Sequence, residues 1–119
     1  MAKYYYKRVD TERLDLLNQL RQVFARAFDE DSVWNSNKPS EVYLKGVLTD
    51  KNYIALVAVD ENEVVVGGLS AYVLPKIDQE HSEVYLYDLA VASEYRRQGI
   101  ATQLILELKA LAKKRVKKN

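Results

Sequence analysis

Two stretches of this 119-residue sequence hold residues whose types and spacing suit chemistry. The first is Asp88, an acid inside the apolar run Val84-Tyr85-Leu86-Tyr87-Asp88-Leu89-Ala90-Val91. A carboxylate in such a strand is costly unless it binds something. Glu83, at the head of the same run, is a second candidate. The other stretch is the polar turn Ser93 to Gln98, closed by Gly99. A turn like this at the head of a helix aims unpartnered backbone N–H groups at one point. The helix dipole is positive there, so the position suits a phosphate anion. Gly99 lets the backbone turn and a bulky anion approach without a Cβ clash, and Arg96 and Arg97 add positive charge at the same mouth.

The elements that must position these groups follow from periodicity. Glu83 to Ala92 is β-branched, aromatic and aliphatic, and reads as a strand. Its alternation puts Glu83, Tyr85 and Tyr87 on one face and Val84, Leu86 and Asp88 on the other, unless a bulge intervenes. From Gly99 the apolar spacing turns helical: Ile100, Leu104, Leu108 and Leu111, flanked by Ile105 and Ala112. Upstream, Tyr4 to Val9 reads as a strand. A helix capped by Asp10 or Thr11 follows, with Leu14, Leu17, Phe24 and Phe28 inside, and it stops around Asp29. Asp31 to Lys38 reads as a polar loop whose Trp34 either plugs a groove or forms one wall of a substrate site. Pro39 and Ser40 open a second helix with Val42, Tyr43, Val47 and Leu48 on its apolar side. Tyr53–Val59 and Val64–Leu74 make an antiparallel hairpin about Asp60-Glu61-Asn62-Glu63. Gly67-Gly68 in its second strand signals a bulge or a close backbone contact. The order β-α-α-β-β-β-α gives an α+β domain, a mostly antiparallel sheet with helices packed on it.

Composition narrows the chemistry. There is no cysteine, which removes thiolate nucleophiles, disulfides and cysteine metal sites, and a single histidine, His81, which argues against a triad or a histidine-rich metal site. No metal is expected. No apolar run reaches transmembrane length and residues 1–6 lack a signal-peptide core, so the expectation is a cytoplasmic protein without a membrane partner. Lys113, Lys114, Arg115, Lys117 and Lys118 form a basic tail. Without interleaved aromatics this tail reads as solvated, so no nucleic-acid partner is expected. The remaining body carries 13 basic and 17 acidic residues, a net charge of −4. That balance would draw a polycationic amine by long-range attraction, and fits ordinary solvated loops equally well.

The pattern Arg96-x-x-Gly99-x-Ala101, after a strand and before a helix, resembles the acetyl-CoA signature of the GNAT N-acetyltransferase superfamily. The resemblance extends through Phe28, Tyr53-Ile54-Ala55-Leu56, Val66-Gly67, Ala71-Tyr72-Val73-Leu74-Pro75-Lys76 and Tyr87-Asp88-Leu89-Ala90-Val91. These stretches look like the aminoglycoside 3-N-acetyltransferases of the gentamicin-resistance type. The resemblance implies a GNAT fold and direct transfer of an acetyl group from acetyl-CoA to an amine. It implies that Arg96, Arg97, Gln98, Gly99, Ile100, Ala101 and Thr102 hold the pyrophosphate, and that Leu89, Ala90 and Val91 pair with the pantetheine arm. Because an ammonium cannot attack, a carboxylate must take its proton; Asp88 is the first choice and Glu83 the second. Asp88 would also contact the aminoglycoside amine, with Tyr87 beside it as a pocket wall.

GNAT enzymes continue past this helix into a strand, a helix and a final pair of strands. Residues 1–119 are therefore expected to form a single, C-terminally truncated GNAT domain, with no residue assigned as general acid. The central strand would then expose an apolar edge, so a homodimer is expected. Two other readings stay open: a GNAT enzyme for another small amine, and a non-catalytic acetyl-CoA-binding or dimerising remnant.

Overall fold

A computed structural model describes residues 2–117 of the chain. Four strands form one antiparallel sheet in the order β1 (Tyr5–Arg8), β2 (Tyr53–Val59), β3 (Val65–Pro75), β4 (Ser82–Val91). Three helices, α1 (Leu14–Ala27), α2 (Asp31–Ser36) and α3 (Glu41–Thr49), connect β1 to β2, and α4 (Ile100–Lys117) follows β4. The expected basic tail runs past this limit; Lys118 and Asn119 lie outside the described residues.

The middle strands are buried on both faces, and the alternation of side chains sorts two cores. Ala55, Val57, Val59 and Val65 meet Leu16, Leu17, Leu20 and Phe24 of α1 on one side. On the other, Ile54, Leu56, Ala58, Val66, Leu69 and Val91 meet Ile100, Leu104 and Leu108 of α4. The hairpin between β2 and β3 is built by Asp60, whose carboxylate accepts from the N–H groups of Asn62 (2.8 Å) and Val64 (3.0 Å). At Gly68 the Leu20 side chain of α1 packs directly on the sheet backbone. A Cβ there would stand 2.5 Å from Leu20 Cδ1 and 2.6 Å from the Leu56 carbonyl oxygen.

Several expectations are corrected. Asp31–Ser36 is helical rather than a loop. Trp34 docks on Phe24 with ring centroids 5.7 Å apart, beneath the Arg21 guanidinium at 5.7 Å, so tertiary packing outweighs local propensity there. Trp34 therefore plugs the α1 surface. The buried stripe of α1 runs through Leu16, Leu17, Leu20, Phe24 and Ala25, while Phe28 is partly exposed and stacks on Phe24. Asp10 caps a turn, accepting from Glu12 N–H, and α1 begins at Leu14 with no side-chain cap. In α3, which Ser40 caps as expected through the N–H of Tyr43, Leu44 is the buried residue and Val42 and Tyr43 face solvent.

Candidate functional site

β4 carries the candidate acids, and its register decides which way they face. Ser70 pairs with Asp88 while Ala71 pairs with Leu86, so Tyr87 is an extra residue without a partner in β3. An extra residue of this kind breaks the strict alternation. Tyr87 turns onto the same side as its neighbour Asp88, where its ring meets Tyr72 edge-on at 5.7 Å and lies 6.3 Å from Tyr85. The expected opposition of Asp88 to Tyr85 and Tyr87 is thus reversed, and the bulge is the reason.

Asp88 is half-buried, and its Oδ2 accepts from the hydroxyl of Ser70 at 3.3 Å. Among the described residues Ser70 is the one polar side chain that is buried, and this bond gives its hydroxyl a partner. Tyr53 completes the group. Burial pushes its phenol up to about 12, Tyr72 and Asp88 push the same way, and the Ser70 hydroxyl pulls against them. Glu83 has a different fate. It sits at the far end of β4 opposite Leu74, roughly 15 Å along the strand from Asp88. Lys76 Nζ reaches its Oε1 at 2.9 Å, and that bond holds the Glu83 carboxyl below the usual range. The structure does not bring Glu83 and Asp88 together. His81 belongs to the loop, its carbonyl accepting from Lys76 N–H.

The turn after β4 is tightly organised. Ser93–Tyr95 form a single 3-10 turn, and the Arg96 Nε donates to the Val91 carbonyl at 3.0 Å, tying the turn back to the strand end. Arg97 and Gly99 both take left-handed backbone conformations, φ 65° and 80°. A Cβ at Gly99 would stand in open space, so the position demands glycine for its φ while leaving room for a ligand. The Gly99 carbonyl accepts from Gln103 N–H, which starts α4 and leaves the N–H groups of Ile100, Ala101 and Thr102 with no partner inside the helix. From the other end of the chain the Tyr4 hydroxyl donates to Gln98 Oε1 at 2.7 Å, and its ring meets Tyr95 edge-on. A cavity of about 370 Å³ adjoins the turn, between Gln22 and Arg26 of α1 and Val91, Ser93 and Arg96.

Leu89, Ala90 and Val91 lie between Asp88 and this turn. They pair with β3 on one side only among the described residues, so their outer edge can accept an extended polyamide. The candidate residues therefore fall into one continuous track: an acid, an open strand edge, and an anion-suited helix start. Ser70, Tyr53, Tyr72 and Tyr4 escaped the sequence reading. Ser70 carried a faint signal, as a hydroxyl inside an apolar strand; the contact of Tyr4 with Gln98 carried none.

Comparison with known proteins follows the same line. Residues 16–118 match the Acetyltransferase (GNAT) family model. No curated protein matches the chain. Among solved structures, the aminoglycoside acetyltransferase HMB0005 from an uncultured soil metagenomic sample is 40% identical, with a TM-score of 0.91 over 95% of this chain and 74% of that one. The aminoglycoside acetyltransferase meta-AAC0020, also from an uncultured soil metagenomic sample, is 31% identical over 94% of this chain and 71% of that one. Its complexes with trehalose and with sisomicin superpose at TM-scores of 0.86 and 0.85. The 6'-N-acetyltransferase AAC(6')-Ih from Acinetobacter baumannii, at 20% identity and a TM-score of 0.72, shares the fold. The sheet, the bulged β4 and the glycine-led start of α4 agree with the family match: the chain belongs to the acetyltransferase (GNAT) family.

Proposed function

We propose that this chain is an acetyl-CoA-dependent N-acetyltransferase that acetylates an amine of an aminoglycoside by direct transfer. The observation that carries the reading is Asp88, a half-buried strand carboxylate oriented by Ser70 at one end of an open strand edge that leads to the start of α4. Two solved relatives at 40% and 31% identity are aminoglycoside acetyltransferases, which points to the same substrate class.

Acetyl-CoA supplies the activated acyl thioester. The open space beside Gly99 and its φ of 80° fit an anion drawn up to the backbone. The residues that would hold the pyrophosphate are Arg97, Gln98, Gly99, Ile100, Ala101 and Thr102, with Arg96 bracing the turn through Val91. Leu89, Ala90 and Val91 offer backbone groups to the pantetheine amides, and an N–H at Ala90 or Val91 is the donor for the thioester carbonyl. Asp88 would take one proton from the ammonium so that the free amine can attack the thioester carbonyl. The N–C bond forms, the C–S bond breaks, and the departing CoA thiolate takes up the second proton that the new amide nitrogen loses, which leaves free CoA thiol. Tyr87 flanks the amine. Glu83, held by Lys76, is left to its ion pair.

The proposal extends to a homodimer in the cytoplasm. β4 has a partner on one side only among the described residues, and its Leu86 is 40% exposed, so a second copy would cover the edge over residues 82–86 and leave the edge at Leu89, Ala90 and Val91 to the pantetheine. No helix among the described residues is long and apolar enough to cross a membrane.

The test is release of free CoA thiol from acetyl-CoA with a panel of aminoglycosides including gentamicin, with the acetylated nitrogen located by mass spectrometry and NMR. Acetylation at the 3-amine is expected. Asp88→Asn should lower kcat by roughly 100-fold or more, the usual contribution of a general base, while Glu83→Gln stays within about threefold. Turnover of other amines only would sink the aminoglycoside assignment. A chain that binds acetyl-CoA but releases no thiol with any amine would favour a non-catalytic module.

A further inference from the structure

One face of the sheet carries aromatic rings that its helices leave open. Tyr72 is 38% exposed, Tyr85 56% and Tyr87 65%, whereas Ala90 and Val91 at the far end of β4 are buried. These rings touch. Tyr72 and Tyr87 meet at right angles with centroids 5.7 Å apart, Tyr85 lies 6.3 Å from Tyr87, and Tyr53 backs Tyr72 at 5.2 Å. The β4 bulge makes this possible, because it places Tyr87 and Asp88 side by side on the same face.

The charge around the rings says what they would take. Burial raises the Tyr72 phenol most, and Tyr87, Tyr43 and the nearby carboxylates of Asp88 and Asp50 add to it. An anion at this surface would be repelled by those carboxylates. A purely apolar group would strip water from Asp88 without replacing it. An ammonium satisfies both features, since the faces of tyrosine rings are electron-rich and attract a cation. Lys76, the base at the end of the strand, is already paired with Glu83.

We propose that Tyr72, Tyr85 and Tyr87 form an aromatic floor that binds an ammonium-bearing saturated ring and presents a neighbouring amine on that ring to Asp88. The floor selects polycationic amino sugars over neutral sugars of similar size: one ammonium lies over the rings while another reaches the carboxylate. This deepens the function proposed above and rests on it for the substrate class.

The experiment is calorimetric titration of the full chain with sisomicin and, as the neutral comparison, trehalose, alongside thiol-release kinetics with sisomicin. The variants are Tyr72→Leu, Tyr87→Leu and Tyr85→Leu, each with its phenylalanine counterpart, and each checked for an unchanged circular dichroism spectrum. Each leucine variant should weaken sisomicin binding roughly three- to thirtyfold, the range expected of a cation over one ring, while the phenylalanine variants stay near the parent. The loss should appear in KM more than in kcat, and trehalose should bind far more weakly to every variant. Leucine variants that bind sisomicin as tightly as the parent would overturn the floor while leaving acetylation intact. Ring-dependent binding without thiol release would overturn the proposed activity and leave the floor standing. No binding of sisomicin by the parent chain would overturn the floor.

Discussion

Gly68→Ala tests how closely the chain has committed α1 to the sheet. The added methyl would stand 2.5 Å from Leu20 Cδ1 and 2.6 Å from the Leu56 carbonyl oxygen, both far inside van der Waals contact. Leu20 is 1% exposed, and the Leu56 carbonyl belongs to the backbone ladder of β2, which cannot yield cheaply. Overpacking of this kind costs about 1–3 kcal/mol, and a clash against backbone belongs at the upper end. At this chain length that is a fall in Tm of roughly 8–15 °C. Gly46→Ala is the matched control. It lies within α3, is exposed, and its Cβ would meet nothing within 4 Å. Trading glycine for alanine in an open helix position should raise stability by about 0.5–1 kcal/mol. Urea denaturation of the two variants beside the parent gives both values. Gly68→Ala within about 0.5 kcal/mol of the parent, or Gly46→Ala destabilised, would refute the reasoning.

Other consequences are open to measurement. The Tyr53 phenol is raised from 10.0 to about 12 by its surroundings, so the folded state holds its proton longer than the unfolded one. That contribution is whole below pH 10 and disappears as pH climbs from about 10 to about 12, in all roughly 2–3 kcal/mol. Tyr53→Phe should flatten the loss of stability over this window relative to the parent; identical alkaline melting curves would contradict it. Tyr4→Phe keeps the ring against Tyr95 and removes the hydroxyl bonded to Gln98. Amide exchange at residues 96–99 should then quicken severalfold and acetyl-CoA binding weaken by up to about tenfold, with Tm nearly unchanged. Unchanged exchange and affinity would show the bond to be idle.

The parts of this fold that could be read from the sequence are those whose signals are local and repeated. The dense apolar run Tyr53–Val59 and the spacing of Ile100, Leu104 and Leu108 survive because the first is buried on both faces and the second faces one layer. The glycine at the start of α4 was legible for the same reason: its φ is a property of its own backbone. What escaped depends on residues distant in the chain. In α1, Leu20 fills the space that Gly68 of β3 leaves, a match between distant residues, while Phe28 stays at the rim. The six residues of α2 are too few to carry a periodic signal and are held by Trp34 against Phe24. The bulge opposite Ser70 and Ala71 is a mismatch between two strands, visible in neither alone, and it decides which side chains surround Asp88. The acid was legible; its companions Ser70, Tyr53 and Tyr72 were not.

The hydrogen bond between Tyr4 and Gln98 joins positions 94 residues apart. It closes a long loop, so its ordering entropy is recovered only once β1 has docked on β2 and β4 has delivered the turn. During synthesis Tyr4 leaves the ribosome long before its partner Gln98 exists. It must wait, solvated, for those 94 residues to follow. The turn that starts α4 is thus expected to order late in folding, and the arrival of its protection against exchange would mark the closing of that loop.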